Sequence, residues 1–293
     1  MKIDKWKNLI CKTFPNLEIR EFSLLGKGKS GTACLANNEI VFKIPQSSKG
    51  RIARWQKNES AVLNFLDGKL DIQIPKILYS ATSENGLYII GETLLSGVTY
   101  SYELHDSFDE ATKANILRQL GKIIRNLHDV GGNDSSWQDS REHETYKTII
   151  KNFDKRFSDD VKKVFSSEEI RKIEKIANDY KKITAEYPVK PVLCHFDFHF
   201  FNLMFDTAKK KISGLLDFGT AGYAEPARDM HYYFGDGARL ILEGYGDNGD
   251  KYMKERQMFH SMSHLLDNLG GEIAKNQKPY RSLEFIKKYM LQK

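Results

Sequence analysis

The sequence predicts an α+β chain built as two lobes, a small β-rich N-terminal lobe over residues 1–96 and a larger, mainly helical lobe over 97–293. Three observations predict it. The first hundred residues fall into short apolar or alternating segments separated by turn residues. The remainder carries long stretches with apolar residues at helical spacing. Ser96-Gly97 breaks the pattern between the two and is the predicted hinge. A chain of 293 residues has room for two cores but is short for three ordinary domains.

At the N-terminus, Ile3, Trp6, Ile10 and Phe14 recur at helical spacing and predict a short amphipathic helix. Phe22–Leu25 and Ala33–Ala36 read as strands on either side of a glycine-rich turn, Asn37-Asn38 as a hairpin turn and Glu39–Ile44 as the returning strand. Ile52–Leu66 reads as a helix, followed by strands at Ile77–Ala81 and Leu87–Gly91. Beyond the hinge, Asp109–Asp129 has one apolar face through Leu117, Leu120, Ile124 and Leu127. Residues 131–140 read as a polar loop and 144–186 as two helices joined near 158–167. Short apolar stretches at 191–194 and 212–216 bracket the densest chemistry in the chain, and 252–269 and 282–291 return to helix.

Composition narrows the function classes. Apolar residues make up 40% and charged residues 29%, as in globular chains. No window approaches the roughly 18 to 20 apolar residues that span a bilayer, and Met1–Phe14 lacks the apolar core of a signal peptide. Cys11, Cys34 and Cys194 show no paired spacing, so the expectation is a reducing, cytoplasmic compartment without membrane association. A net charge of +6, with its lysines spread over helix faces and turns, admits an anionic ligand but is no nucleic-acid signature.

Four signals carry chemistry, and they occur in a fixed order. Gly26-Lys27-Gly28-Lys29-Ser30-Gly31 lies between two predicted strands, where glycines let backbone N–H groups approach phosphate oxygens. Alone it is equally a hairpin turn. Lys43 sits inside the apolar strand Val41–Pro45, a costly place for a charge without a partner, and Glu59 on the following helix is placed to supply one. His195-Phe196-Asp197 followed by Asn202 matches H-x-D-x-x-x-x-N: the aspartate would meet an acceptor hydroxyl, and the asparagine would turn an oxygen onto a metal ion. Leu215-Leu216-Asp217-Phe218-Gly219 delivers a carboxylate from an apolar strand, suited to a hard cation such as Mg²⁺. In this order these are the parts of the phosphoryl-transfer template of protein kinases.

At these residues the chain resembles the aminoglycoside phosphotransferase family, antibiotic kinases with the protein-kinase-like fold. The resemblance covers most of the chain, and residues 42–59, 193–206 and 212–229 look closest to the 2″-type enzymes. It implies transfer of the γ-phosphate of ATP or GTP to a hydroxyl, with Asp197 as base, Asn202 and Asp217 as Mg²⁺ ligands, and Lys43 with Glu59 as phosphate clamp. It also implies a purine-reading linker over 91–96, including Glu92, Thr93 and Leu94, and an Asp229 that anchors the catalytic loop. A small molecule, most simply an aminoglycoside, is the implied acceptor, because only a short segment separates Asp217 from Asp229 and no peptide-docking A-P-E follows. His199, Asp236 and Glu243 are the candidate acceptor-side residues. Three departures bear on this. Phe196 stands where the family usually has glycine, which implies a shifted loop backbone. Thr220 replaces an acidic residue, and the acidic cluster is thinned to Asp236 and Glu243 with Arg239 between. A same-fold kinase for a macrolide, a choline-like alcohol or a sugar, or a nucleotide-binding module without turnover, is the alternative. His260 and His264 share a helix face without a third ligand and read as surface or pocket residues.

Overall fold

The structure, a computed structural model, describes residues 3–130 and 146–291 and divides into two compact units. The expected polar loop at 131–140 lies outside the described residues.

The first unit comprises residues 3–104 and 200–221. Helix α1 (Ile3–Thr13) precedes β1 (Phe22–Lys27), β2 (Gly31–Ala36), β3 (Ile40–Pro45), helix α2 (Gly50–Leu66), β4 (Ile77–Thr82) and β5 (Tyr88–Thr93). The five strands form one antiparallel sheet in the order β1-β2-β3-β5-β4. Strand β2 alternates partly and fully buried positions, the period-2 pattern of a sheet with one dry face. Asn37 and Asn38 take φ of 53° and 56°, the positive pair that a tight two-residue hairpin turn requires. Ile10 of α1 joins Cys34, Phe42, Ile44 and Ile89 in the core, with Trp6 and Phe14 packed against it, so the amphipathic N-terminus belongs to the sheet. Residues 91–93, expected as the start of a linker, are instead the last rungs of β5. A small sheet completes the unit: β6 (Val98–Thr99), β8 (Leu203–Asp206) and β9 (Lys211–Leu215), in the order β6-β8-β9. Tyr100 stacks on Phe205 at 4.8 Å and sends its N–H to the Leu203 carbonyl.

The second unit comprises the described residues of 105–199 together with 222–291. After the short α3 (Tyr102–Asp106) come α4 (Glu110–Val130), α5 (Tyr146–Arg156), α6 (Asp159–Lys162) and α7 (Ser167–Glu186). The stretch expected as two helices holds three, because two serines each restart the chain. Ser158 caps α6, and Ser166 with Glu169 forms a capping box on α7. Strand β7 (Val192–Cys194) pairs antiparallel with β10 (Gly222–Ala224), and α8 (Gly235–Tyr245), α9 (Met253–Ala274) and α10 (Arg281–Phe285) follow. Helix α8 is absent from the sequence reading, since it opens on Gly235-Asp236-Gly237. It packs closely on α4: a Cβ at Gly121 would meet the Ile241 carbonyl oxygen at 2.1 Å.

The core of this unit runs through Phe153, Ile173, Tyr180, Phe259, Met262 and Leu266, with Tyr180 and Phe259 stacked at 3.8 Å. Beside it lies a buried polar network. The fully buried Arg256 binds Glu225 at 3.1 Å and Asp250 at 2.9 Å, and His260 also bonds Glu225. His260 is therefore an interior residue with a carboxylate partner, which corrects its reading as a surface or pocket histidine.

Candidate active site

In the first unit, β3 and α2 bring Lys43 and Glu59 together. The ammonium lies 2.6 Å from Glu59 Oε1 and 3.1 Å from Glu92 Oε1, and both glutamate side chains are only 3% exposed. Glu92 thus acts through its side chain as a second partner of Lys43. The signal for it was present in β5: a lone acid in Tyr88–Thr93 invites the same partner argument as Lys43 in β3. The backbone there is committed within the unit, since the N–H of Thr93 donates to Lys76 O and that of Leu94 to Glu39 O. Burial works against the charge on Lys43, but Glu59, Glu92 and Asp217 outweigh it and hold its pKa above the ordinary value. Burial pushes the Glu59 and Glu92 carboxyls upward against the pull of Lys43.

Asn202 and Asp217 sit at the same end of the hairpin formed by β8 and β9. Leu203 opposes Leu215, and the Leu216 N–H donates to the Asn202 carbonyl at 2.9 Å. Asp217 takes φ 65° and ψ 65°, a left-handed turn at the strand end. The segment after it is pinned to α2: Phe218 N donates to Glu59 Oε1, and Asn58 Nδ2 donates to the carbonyls of Gly219 and Ala221. One helix therefore fixes both the lysine partner and the Asp217 turn. In the glycine-rich turn, Gly28 N donates to Gly31 O and Gln46 Nε2 donates to Gly28 O. Gly31 is required by packing, since a Cβ would meet Ile44 O at 2.4 Å; Gly26 and Gly28 face open space. The donor set suits a hard divalent cation: an amide and a carboxylate offer oxygen, and three carboxylates surround a single lysine.

In the second unit, Asp229 holds the loop that carries His195, Phe196 and Asp197. Its Oδ2 accepts from the His195 N–H at 2.8 Å and its Oδ1 from the Phe196 N–H at 2.6 Å, while His128 Nε2 of α4 lies 3.1 Å from Oδ2. Two adjacent amides on one buried carboxylate force a tight turn, and Phe196 sits in it at φ 69°. That left-handed conformation is natural for glycine and costs other residues about 1–2 kcal/mol. The phenylalanine is thus held in a backbone geometry suited to glycine, with the Arg228 guanidinium over its ring at 5.3 Å.

Asp197 follows with a side chain 26% exposed. Tyr232 donates to its Oδ1 at 2.6 Å, and His199 Nε2 lies 3.5 Å from Oδ2. The Asp197 N–H donates to His195 Nδ1, and Tyr233 ties the loop further on by donating to Phe198 O at 2.7 Å. Burial raises the Asp197 pKa, but His199 and Tyr232 prevail and hold it at about 2. Tyr232 and Asp197 are 35 residues apart, and that separation gives no local sign of the bond in the sequence. Two rings packed on Tyr232 are shifted by their surroundings: burial, then Arg228, lowers His231 well below its ordinary value and His264 to about 4. His264 stands 4.8 Å from the Tyr232 ring.

Asp236 and Glu243 both lie on α8, and both are already paired. Asp236 binds Arg239 at 3.1 Å, and Glu243 binds Arg239 and, at 2.9 Å, Arg118 of α4. Among the described residues, the one group of three or more histidine, cysteine or acidic side chains with their ligand atoms close together is His128, Cys194 and Asp229. Its atoms are engaged in the loop anchor, and burial pushes the Cys194 thiol well up, where it donates to the Ala224 and Glu225 carbonyls.

A family model described as the phosphotransferase enzyme family (APH) matches residues 21–249. Solved structures agree on the fold. Wild-type aminoglycoside 2'-phosphotransferase-IIIa with GDP superposes at a TM-score of 0.79 with 18% identity over 98% of each chain. The GDP and kanamycin complex of APH(2")-IIia gives 0.78 and 17% over 97% of each chain. The macrolide 2'-phosphotransferase MphH from Brachybacterium faecium gives 0.66 and 16% over 97% of this chain and 96% of that one. With Lys43–Glu59, the Asp197 loop and the Asp217 turn in the order the sequence predicted, this chain belongs to the phosphotransferase enzyme family and has its protein-kinase-like fold.

Proposed function

We propose that the chain transfers the γ-phosphate of ATP or GTP to a hydroxyl of a small molecule. The observation that carries this is the buried Lys43–Glu59 pair, which places a permanent cation beside Asp217. Lys43 binds phosphate oxygens, and the glycine-rich turn offers backbone N–H groups to the same anion. Asn202 and Asp217 would hold Mg²⁺, which supplies charge neutralisation on the phosphates when bound. Asp197 accepts a hydrogen bond from the acceptor hydroxyl. Tyr232 on Oδ1 and His199 beside Oδ2 set the orientation of the carboxylate toward that hydroxyl. The acceptor oxygen forms its bond to the γ-phosphorus as the bridging bond to the β-phosphate breaks, and the hydroxyl proton passes to Asp197. A carboxylate held at about 2 is a weak base, so its main contribution is to orient the attacking oxygen, with the proton leaving late.

The likeness to 2″-type aminoglycoside enzymes favours an aminoglycoside acceptor, with Asp236 and Glu243 meeting its ammonium groups. A second reading is favoured by the arginines that already occupy those two carboxylates: an acceptor with fewer positive charges. The experiment is nucleotide-coupled turnover over aminoglycosides, macrolides and other alcohols with wild type and Asp197→Ala. General-base and orienting contributions run to roughly 10² to 10⁴, so turnover is expected to fall at least about a hundredfold while nucleotide affinity persists. Near-normal turnover in Asp197→Ala would refute the assignment.

A further inference from the structure

The helical unit contains a cavity of about 860 Å³ between α7, α8, α9 and the chain end, the size of a small-molecule site. Its walls are apolar and aromatic, through Tyr233, Phe234, Leu242, Met258 and Tyr289, with Phe234 and Tyr289 stacked. Asp236 and Glu243 line it, but Arg239 and Arg118 balance them. Of the lysines that line it, Lys172 and Lys175 are paired with Glu168 and Asp179. Lys254 and Lys288 have no carboxylate partner among the described residues, which leaves two positive charges over an aromatic floor. Tyr233 carries the cavity wall to the catalytic loop, since its hydroxyl bonds the carbonyl of Phe198, next to Asp197.

We propose that this cavity binds the acceptor, and that the acceptor class is an alcohol with an apolar or aromatic body and at least one anionic group. The assignment to the acceptor rests on the kinase reading above; the ligand class rests on the cavity's own charges. A polyammonium ligand would enter against Lys254 and Lys288 and would compete with Arg239 and Arg118 for the two carboxylates. An aromatic anion meets two unpaired lysines and ring faces that need no rearrangement.

The test is binding, which needs no turnover. The aromatic sulfonate 8-anilinonaphthalene-1-sulfonate is titrated by fluorescence into the full chain, into Lys254→Glu/Lys288→Glu, and into Lys147→Glu/Lys151→Glu as an equal charge change on α5. Both lysine pairs are exposed, so folding is retained and is checked by the melting temperature. The expected result is saturable one-to-one binding, weakened at least about tenfold by the cavity pair and less than about twofold by the α5 pair, the loss expected when charge-assisted contacts go. Kanamycin is expected not to displace the probe. Absent saturable binding, equal effects of the two pairs, or displacement by kanamycin would overturn the proposal. Magnesium-dependent nucleotide affinity, measured on the same samples, reports separately on the kinase reading.

Discussion

Replacing Tyr232 by phenylalanine removes a single oxygen and tests how Asp197 is set. The hydroxyl donates to Oδ1 at 2.6 Å, while His199 stands 3.5 Å from Oδ2. Burial alone would raise the carboxyl; His199 first and Tyr232 second bring it down to about 2. A hydrogen bond to a charged group contributes about 1.5–3 kcal/mol, and about 1.4 kcal/mol corresponds to one pKa unit. Tyr232→Phe is therefore expected to raise Asp197 from about 2 to roughly 3–4. The assay is a ¹³C-carboxyl NMR titration of aspartate-labelled protein, with Asp197→Asn identifying the resonance. Because the ring remains, packing against His231 and His264 is kept, and a shift isolates the hydroxyl. Loss of this bond would also loosen the orientation of the carboxylate, so turnover on any accepted alcohol is expected to fall while nucleotide affinity stays. An Asp197 titration that superposes on wild type would refute the role given to Tyr232.

Three further outcomes follow from the same geometry. Asp217→Ala is expected to lower Mg²⁺-dependent nucleotide affinity more than Asn202→Ala, because the carboxylate contributes charge as well as an oxygen; titrating Mg²⁺ against nucleotide in both variants checks it, and equal small effects would place the metal elsewhere. Arg256→Ala leaves Glu225 and Asp250 buried without their cation, and chemical denaturation is expected to show a loss of about 3–5 kcal/mol. Burial works to raise Glu225, but His260, Tyr180 and Arg256 hold it at about 2, against 4.5 for an ordinary glutamate. A carboxyl depressed by folding adds stability that is full above its unfolded pKa and is lost as the pH falls through the folded one. The linkage predicts a loss of roughly 3 kcal/mol between about pH 4.5 and 2, read from denaturation midpoints; a flat profile across that window would contradict it.

How much of this was legible depended on the range of the interaction. Strands β1 to β5, α2 and α4 are local patterns, alternation or a 3.6 period between turn residues, and they appear within a few residues of where they were read. Lys43–Glu59 was legible because a charge in an apolar strand demands a partner and the next helix offers one. Glu92 carries the same signal, a lone acid inside strand β5 that pairs with Lys43. Helix α8 was hidden by glycines that lower helix propensity; its burial against α4 outweighs them. The bonds from Tyr232 to Asp197 and from His260 to Glu225 span 35 residues each, and no periodicity announces such a pairing. The departure at Phe196 was visible as a letter, but its meaning lies in a φ of 69° that only the fold around Asp229 dictates.

The contact of α8 with α4 at Gly121 carries a consequence for changing specificity. Helix α8 lines the cavity through Asp236, Ala238, Arg239, Leu242 and Glu243, and elsewhere along its length it is pressed against α4 with no room for a methyl group. Gly121→Ala would set a carbon 2.1 Å from the Ile241 carbonyl, where ordinary contact begins at 3.4 Å, so the helix must give way. The two helices meet backbone to backbone there, and no flexible side chain can absorb the change. The cavity can thus be reshaped from a residue that never touches its ligand. A search for altered acceptor preference that varies only lining positions would overlook this spacer.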